Sequence, residues 1–148
     1  MLERFAAGLP PNPIGMAAVR RRVGHLHQMT RRLPQRPGAV ASTDLAYGAR
    51  GFDADLSVLP DRLAARLGGL LRAGDSGPVG VVHGDLVSAN VIWHQDGPPV
   101  VIDWDEARID AGLFDQTGPV GRKARLAREI VACWRVEPAR ARRLVLKL

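Results

Sequence analysis

Short runs of β-branched residues between positions 79 and 104 constrain the fold most, because helical patterns lie on both sides of them. The runs cover 79–82, 89–93 and 100–104, and the turn-forming sequence HQDGPP joins the last two into a predicted hairpin. Amphipathic helical patterns precede these runs and return after residue 118. The chain therefore reads as helices, a small β-hairpin and further helices, which predicts a mostly helical α+β fold.

Residues 14–33 predict the first amphipathic helix. Its apolar stripe recurs at alternating steps of three and four and is formed by Met16, Val19, Val23, Leu26, Thr30 and Leu33. His25 and His27 flank this stripe, and we expect them to be surface or packing residues rather than metal ligands. The helix should therefore turn one face toward a core.

The remaining helices are predicted from similar patterns. Residues 34–57, punctuated by glycines, are expected to be irregular. A second helix begins near Pro60, and its apolar face consists of Leu63, Leu67, Leu70 and Leu71. After residue 118, one helical face is marked by Leu126, Ile130 and Trp134, and Pro138 opens a last helix that runs to the end.

Length and composition favour one domain in a reducing compartment. A chain of 148 residues can bury one sizeable core. Its single cysteine, Cys133, excludes an intrachain disulfide, favours a cytoplasmic location and is expected to be buried. No apolar run approaches the roughly 20 residues that a membrane span needs. The first 13 residues contain an acid and several prolines, which do not suit a signal peptide.

The charge is distributed unevenly along the chain. Residues 1–80 carry 11 basic and 6 acidic side chains, and residues 119–148 carry 9 basic and 2 acidic ones. Residues 81–118, in contrast, carry one arginine and 7 acids, a net charge of −6 inside a chain of net charge +6. A nucleic-acid binder would place its basic residues at the contacts. The acidic block, where the recognisable polar motifs lie, suits a divalent cation or a cationic substrate instead.

Asp85, Asn90 and Asp103 stand out by their spacing around the predicted hairpin. Asp85 follows one strand, Asn90 lies where the next begins, and Asp103 lies where the last one ends. The hairpin should bring Asn90 and Asp103 together, so that both can reach one Mg²⁺ ion, which commonly uses one or two protein carboxylates and substrate phosphates. Asp85 would then be free to accept a proton from a hydroxyl, as phosphoryl transfer requires.

Four sequence motifs carry a family resemblance. HGDLVSAN at 83–90 resembles the catalytic loop of aminoglycoside phosphotransferases and choline kinase-like enzymes, and IDWD at 102–105 resembles their metal-binding segment. RIDAGLFD at 108–115 is similar to a variant of the family's G-D-P-x-x-D segment, and VGHLHQM at 23–29 is similar to the helix before the loop. The resemblance implies a protein-kinase-like fold in which the small β-hairpin carries the catalytic and metal-binding loops.

The resemblance also implies roles for individual residues. Asp85 would be the catalytic base, and His83 would hold the catalytic loop. Asn90 and Asp103 would bind Mg²⁺ and, through it, the ATP cofactor. Asp105 would be a second acid near the metal or the acceptor, and the structural acids that brace the loop would be Asp110 and Asp115.

The family's N-terminal nucleotide lobe has no counterpart in the sequence. We find no glycine-rich phosphate loop and no lysine before Lys123. The resemblance therefore implies that residues 1–148 form a single domain, a kinase-like C-terminal lobe. A separate N-terminal lobe is then an expected partner, and self-association through exposed apolar surface is the alternative.

Three functions follow, in order of preference. The first is ATP- and Mg²⁺-dependent phosphoryl transfer to the hydroxyl of a small molecule, an aminoglycoside-like or choline-like acceptor. The second is a catalytically inactive, truncated remnant or interaction module of the same family, because much of the ATP contact is missing. The third, which the charge pattern disfavours, is a basic nucleic-acid-binding domain.

Overall fold

The computed structural model describes residues 8–52, 54–75, 77–94 and 97–148. Within them lie the helices α1 Pro13–Thr30, α2 Ser42–Ala46, α3 Asp61–Leu71, α4 Pro119–Val136 and α5 Pro138–Val145. The strands are β1 Val79–Val82, β2 Val91–Ile92, β3 Val100–Val101 and β4 Arg108–Ala111. This mixture of helices and small sheets agrees with the predicted α+β class. None of the helices in these ranges combines the length and apolar character needed to cross a membrane.

The predicted hairpin is present but shorter than expected. β2 and β3 pair antiparallel, with Val91 opposite Val101, and each strand has two residues. The strand predicted over 100–104 ends early because the Trp104 indole N–H donates to the Val101 carbonyl (2.9 Å), which closes a local turn. Part of the predicted turn, residues 95 and 96, lies outside the described residues.

A second two-stranded sheet pairs β1 with β4, a strand that the sequence patterns did not predict. The strand β4 includes the charged residues Arg108 and Asp110, so its composition gives little β signal. Its outer side is held by Gln35, whose amide donates to the Ile109 carbonyl and accepts from the Ile109 N–H, both at 2.9 Å. The strand therefore depends on partners distant in sequence rather than on its own propensity.

Helix α1 ends at Thr30 and not at residue 33. Asn12 caps its beginning by accepting a hydrogen bond from the Gly15 N–H (2.9 Å). At its end, the Thr30 hydroxyl accepts from the N–H of Val81 (2.8 Å) and so ties the helix to β1. Leu33, predicted to lie on the buried stripe, is 53% exposed.

Two corrections concern the segment after α1. Residues 34–57, expected to be irregular, contain α2 and a turn of 3₁₀-helix at Leu56–Val58. Leu45 of α2 is fully buried. A helix of five residues has too few turns to show a periodic pattern, so its burial comes from tertiary packing.

The apolar side chains of the described residues form two buried clusters. The larger one joins α3 to α4 and α5, and its largest fully buried members are Leu45, Leu67, Leu71, Phe114 and Ile130. The apolar faces predicted around Leu67 and Ile130 are therefore confirmed. The smaller cluster packs α1 against the hairpin and consists of Met16, Val19, Val23, Leu86 and Val91. Because Leu86 belongs to the segment 83–90, this cluster anchors that segment on α1.

Gly80 of β1 lies against the end of α1. A Cβ at this position would overlap the backbone of His27, whose Cα would be 2.6 Å away. We expect Gly80→Ala to lower the free energy of unfolding by about 2 kcal/mol, because backbone cannot yield as a flexible side chain can. Urea denaturation measures this. Gly24→Ala on α1, where a Cβ meets nothing within 4 Å, is the control and should not destabilise. Equal losses in both variants would contradict the close approach.

Candidate functional site

The 83–90 loop leaves the end of β1 and enters β2 through a turn of 3₁₀-helix at Ser88–Asn90. Inside the loop, Asn90 Nδ2 donates to the backbone carbonyl of Asp85 (3.0 Å) and to its Oδ2 (3.1 Å). The amide nitrogen of Asn90 therefore donates both of these hydrogen bonds to Asp85. Its amide oxygen is the atom left to contact a ligand, and Asp85 itself is exposed.

Asp103 lies beside this loop, just beyond β3. The Ile102 N–H donates to the Asn90 carbonyl (3.0 Å), which extends the hairpin pairing up to Asp103. The φ of Asp103 is +61°, and no other non-glycine residue in the described ranges has a positive φ. Aspartate tolerates this left-handed conformation better than most residues, but it remains strained, and such strain collects at functional sites.

His83 connects the loop to the segment that carries Asp103. The ring is fully buried, and its Nε2 lies 2.8 Å from the Ile102 carbonyl, to which it can only donate. Nδ1 is then the acceptor for the Asp85 N–H, at 3.3 Å. The Trp104 ring lies against it, with 4.7 Å between the ring centroids. His83 therefore fixes the loop and the Asp103 segment relative to each other.

The carboxylate of Asp115 holds the beginning of the loop. Its Oδ2 accepts from the His83 N–H (2.8 Å) and its Oδ1 from the Gly84 N–H (2.9 Å). His27 Nε2 lies 3.0 Å from the same Oδ2. Gly84 has a φ of +89°, and a Cβ there would lie 2.8 Å from the Arg108 Nη1. This close approach explains the glycine in the HGD triplet.

Asp110 lies in a different buried network. Its Oδ2 accepts from the Arg108 Nε (2.7 Å) and from the Ser42 hydroxyl (2.5 Å). Arg108 also donates from Nη1 to the Glu106 carbonyl (3.0 Å). Asp110 thus joins β4 to α2 and reaches the site through Arg108, whereas Asp115 contacts the 83–90 loop directly.

Asp85 and Asp103 open into one cavity of about 630 Å³ between the loop and the helices α4 and α5. Asp105 and Glu106 line the same end, while Asn90 lies outside the lining. The opposite wall carries charges of both signs: Arg125, Arg128, Glu129, Arg135, Glu137 and Arg140. A concave site with converging carboxylates is suited to binding a cation or a polar small molecule.

A comparison with protein-family models matches residues 7–118 to a phosphotransferase enzyme family. The chain belongs to that phosphotransferase family. The matched range contains the 83–90 loop, Asp103 and Asp115, and it ends just before α4. A search of curated proteins gave no match.

The family segments expected from the motifs thus meet at one place, but the sequence patterns did not predict three of the interactions that support this site. His27, expected to be a surface or packing residue, is a buried packing residue, and its bond to Asp115 was not expected. Its position four residues after Val23 places it on the buried stripe, a signal that the sequence does contain. Arg108 and Gln35 gave no such signal, because both act across contacts that are long-range in sequence.

The donor set fits the Mg²⁺ ion that the phosphotransferase family implies. No group of three or more His, Cys, Asp or Glu side chains within the described ranges is arranged to hold a metal alone. Mg²⁺ does not need one, because it commonly binds one or two protein carboxylates together with waters and substrate phosphates. Asp103 supplies a hard carboxylate oxygen and Asn90 an amide oxygen, so these two could hold an ion completed by phosphates.

Cys133 lies in the wall of the cavity and has no part in this chemistry. It is 7% exposed, as expected of a small apolar residue. Burial raises the pKa of the thiol above its ordinary value. The protonated thiol is a poor nucleophile and a poor metal ligand.

The pH dependence of folding should show the role of Asp115. Burial opposes its ionisation, but hydrogen bonds from His27, His83 and Gly84 outweigh burial and hold the pKa below its ordinary value. A lowered pKa adds stability above the unfolded-state pKa, about 3.9, and that stability is lost as pH falls through the native pKa. We expect the free energy of unfolding to decline below about pH 4, and to decline less steeply in Asp115→Asn. Urea denaturation across acid pH measures both slopes, and equal slopes would contradict this assignment.

Proposed function

We propose that residues 1–148 form the C-terminal lobe of a protein-kinase-like fold and act in ATP- and Mg²⁺-dependent phosphoryl transfer to a hydroxyl of a small molecule. One observation gives this proposal its strongest support. Asp85 and Asp103 line one cavity, while the Asn90 amide is hydrogen-bonded to Asp85. A carboxylate base and two oxygen ligands for Mg²⁺ are polar groups that this reaction needs.

Each of these residues has a proposed task. Asp85, exposed at the cavity, accepts a hydrogen bond from the acceptor hydroxyl and takes its proton as the phosphoryl group is transferred. Asn90 and Asp103 hold Mg²⁺, which when bound neutralises phosphate charge. His83 and Asp115 are positioning residues, because they contact the loop backbone and not the cavity. Asp105 adds negative charge at the same end of the cavity.

The charges of the cavity support a cationic or polyhydroxylated acceptor, such as an aminoglycoside-like or choline-like molecule. On the helical wall, Arg140 pairs with Glu129 (2.7 Å) and Glu137 (3.2 Å). With four arginines and two glutamates, this wall carries a net charge of +2. At the loop end, Asp85, Asp103, Asp105 and Glu106 concentrate negative charge. An amine or a divalent ion is the ligand that such a field attracts.

An inactive remnant or interaction module is the second candidate, and one observation favours it. The described residues before β1 form the helices α1 to α3, and the chain has no lysine before Lys123. A lysine on the phosphates and a backbone loop over them are major parts of nucleotide binding in kinase-like enzymes. Without them, residues 83–105 would keep their arrangement but bind nucleotide poorly.

Calorimetric titration with Mg²⁺·ATP separates the two candidates. We expect the parent chain to bind, and Asp103→Asn to bind at least about tenfold more weakly, because it loses a charged ligand. Asp61→Asn, an exposed aspartate on α3, is the matched control and should bind like the parent. No heat at millimolar nucleotide would overturn the kinase proposal for this chain and favour the inactive module.

A further inference from the structure

A second cavity, of about 420 Å³, lies on the other side of the 83–90 loop. It is bounded by the first half of α1, by α4 and by the loop residues Leu86, Val87 and Ser88. Two arginines enter it from the two helices, Arg20 from α1 and Arg125 from α4. Neither the family motifs nor the proposed phosphoryl transfer assigns a role to this pair.

The two guanidinium groups line the same cavity and are incompletely hydrogen-bonded. Arg20 Nε and Arg125 Nη1 are buried from solvent, and neither atom has a hydrogen-bond partner within the described ranges. Burial, followed by the charge of Arg125, lowers the pKa of Arg20, and Asp115 only partly opposes this. Buried donors without acceptors and like charges at one cavity are both unfavourable. In the part of the chain that the structure describes, no group accepts a hydrogen bond from either of these two donors.

We propose that Arg20 and Arg125 form a binding site for an oxyanion, a phosphate or a carboxylate group. An oxyanion would accept hydrogen bonds from both free donors and would neutralise the repulsion between the two guanidiniums. Guanidinium groups match the geometry of carboxylate and phosphate oxygens, and charge-assisted hydrogen bonds of this kind are among the strongest in proteins. Ser88 lines the same cavity and offers a hydroxyl donor.

The position of this site links it to the 83–90 loop. Leu86, Val87 and Ser88 lie between Asp85 and Asn90 in sequence, so a bound anion would touch the segment that separates these two residues. Arg125 lines both cavities. The anionic group of a substrate held in the larger cavity could therefore reach Arg125, and a free inorganic anion is the other source with the same chemistry.

Titration with inorganic phosphate tests the site without requiring catalysis. At constant ionic strength set with sodium chloride, we expect phosphate to raise the melting temperature of the parent protein, because a ligand of the native state stabilises it. Arg20→Gln and Arg125→Gln should each weaken phosphate binding at least about tenfold. Arg21→Gln and Lys123→Gln remove exposed positive charges from the same two helices and should leave binding unchanged. Without phosphate, Arg20→Gln should be no less stable than the parent, because it removes the like-charge repulsion.

Comparing the binding of glycerol 3-phosphate with that of inorganic phosphate and of glycerol distinguishes the two sources of the oxyanion, an organic substrate and a free inorganic anion. Tighter binding of glycerol 3-phosphate than of phosphate would assign the site to the anionic group of an organic substrate, and equal binding would assign it to a free anion. The proposal is overturned if phosphate does not stabilise the parent protein, or if all four variants lose binding equally, as a diffuse effect of net charge would require. Because no turnover is measured, either result leaves the phosphoryl-transfer proposal unaffected.

Discussion

Asp115→Ala is expected to destabilise the fold by about 4 kcal/mol. The carboxylate accepts the backbone N–H groups of His83 and Gly84 and contacts His27, and all of these polar groups are buried or nearly so. Removing the acceptor leaves two amides and an imidazole without a partner, at about 1–3 kcal/mol for each unsatisfied group. Urea denaturation at neutral pH measures the loss.

Asp105→Ala provides the control for this prediction. Asp105 is an exposed aspartate on the neighbouring segment, and its removal should change stability by no more than about 0.5 kcal/mol. If Asp115→Ala were as stable as Asp105→Ala, the hydrogen bonds to the loop would not hold in solution. A selective loss would instead show that the beginning of the 83–90 loop is fixed by a carboxylate 31 to 32 residues further along the chain.

Asp85→Asn is expected to lower ATP-dependent phosphoryl transfer by about 10²- to 10⁴-fold, the usual contribution of a positioned general base. The substitution removes the proton acceptor but keeps an oxygen that can accept the hydrogen bond from Asn90. Binding of Mg²⁺·ATP and the free energy of unfolding should therefore stay close to those of the parent. Transfer of labelled phosphate to a panel of hydroxylated acceptors measures the effect on turnover.

Asp61→Asn again serves as the matched control, because its side chain is exposed on a helix outside the site. It should transfer phosphate at the parental rate. Unchanged turnover in Asp85→Asn would remove Asp85 from the role of base. A loss of both turnover and folding would assign Asp85 a structural role, which its exposed position argues against.

The part of the site that was predictable from sequence is the part built from local patterns. The β-branched runs predicted β1 and the hairpin, and the backbone bond between Ile102 and Asn90 places Asp103 next to the loop. Antiparallel pairing across a short turn fixes this arrangement within about 20 residues of chain. The spacing of Asn90 and Asp103 in the sequence was therefore enough to predict that they lie close together. For the same reason the family motifs in these residues could be recognised.

The part that was not predictable depends on contacts between distant residues. Strand β4 is stabilised by β1 and by the side chain of Gln35, neither of which leaves a periodic pattern in β4 itself. His27 was on the buried stripe, but its partner Asp115 lies 88 residues away. Arg20 and Arg125 likewise come to line one cavity only because the tertiary fold brings parts of α1, α4 and the loop to the same place. Single-sequence patterns report local periodicity and carry no information about which distant faces come together.

The central claim is that Asn90 and Asp103 hold one metal ion. Its most direct test is a titration with Mn²⁺ in place of Mg²⁺, in the presence of ATP, monitored by nuclear magnetic resonance. A paramagnetic ion broadens the amide signals nearest to it. If Asn90 and Asp103 hold the metal, the amides of residues 84–90 and 102–105 should lose intensity first, and Asp103→Asn should largely prevent the loss. Broadening centred on the acids of the helical wall, Glu129 and Glu137, or loss of intensity unaffected by Asp103→Asn, would contradict a metal site formed by the loop and the hairpin.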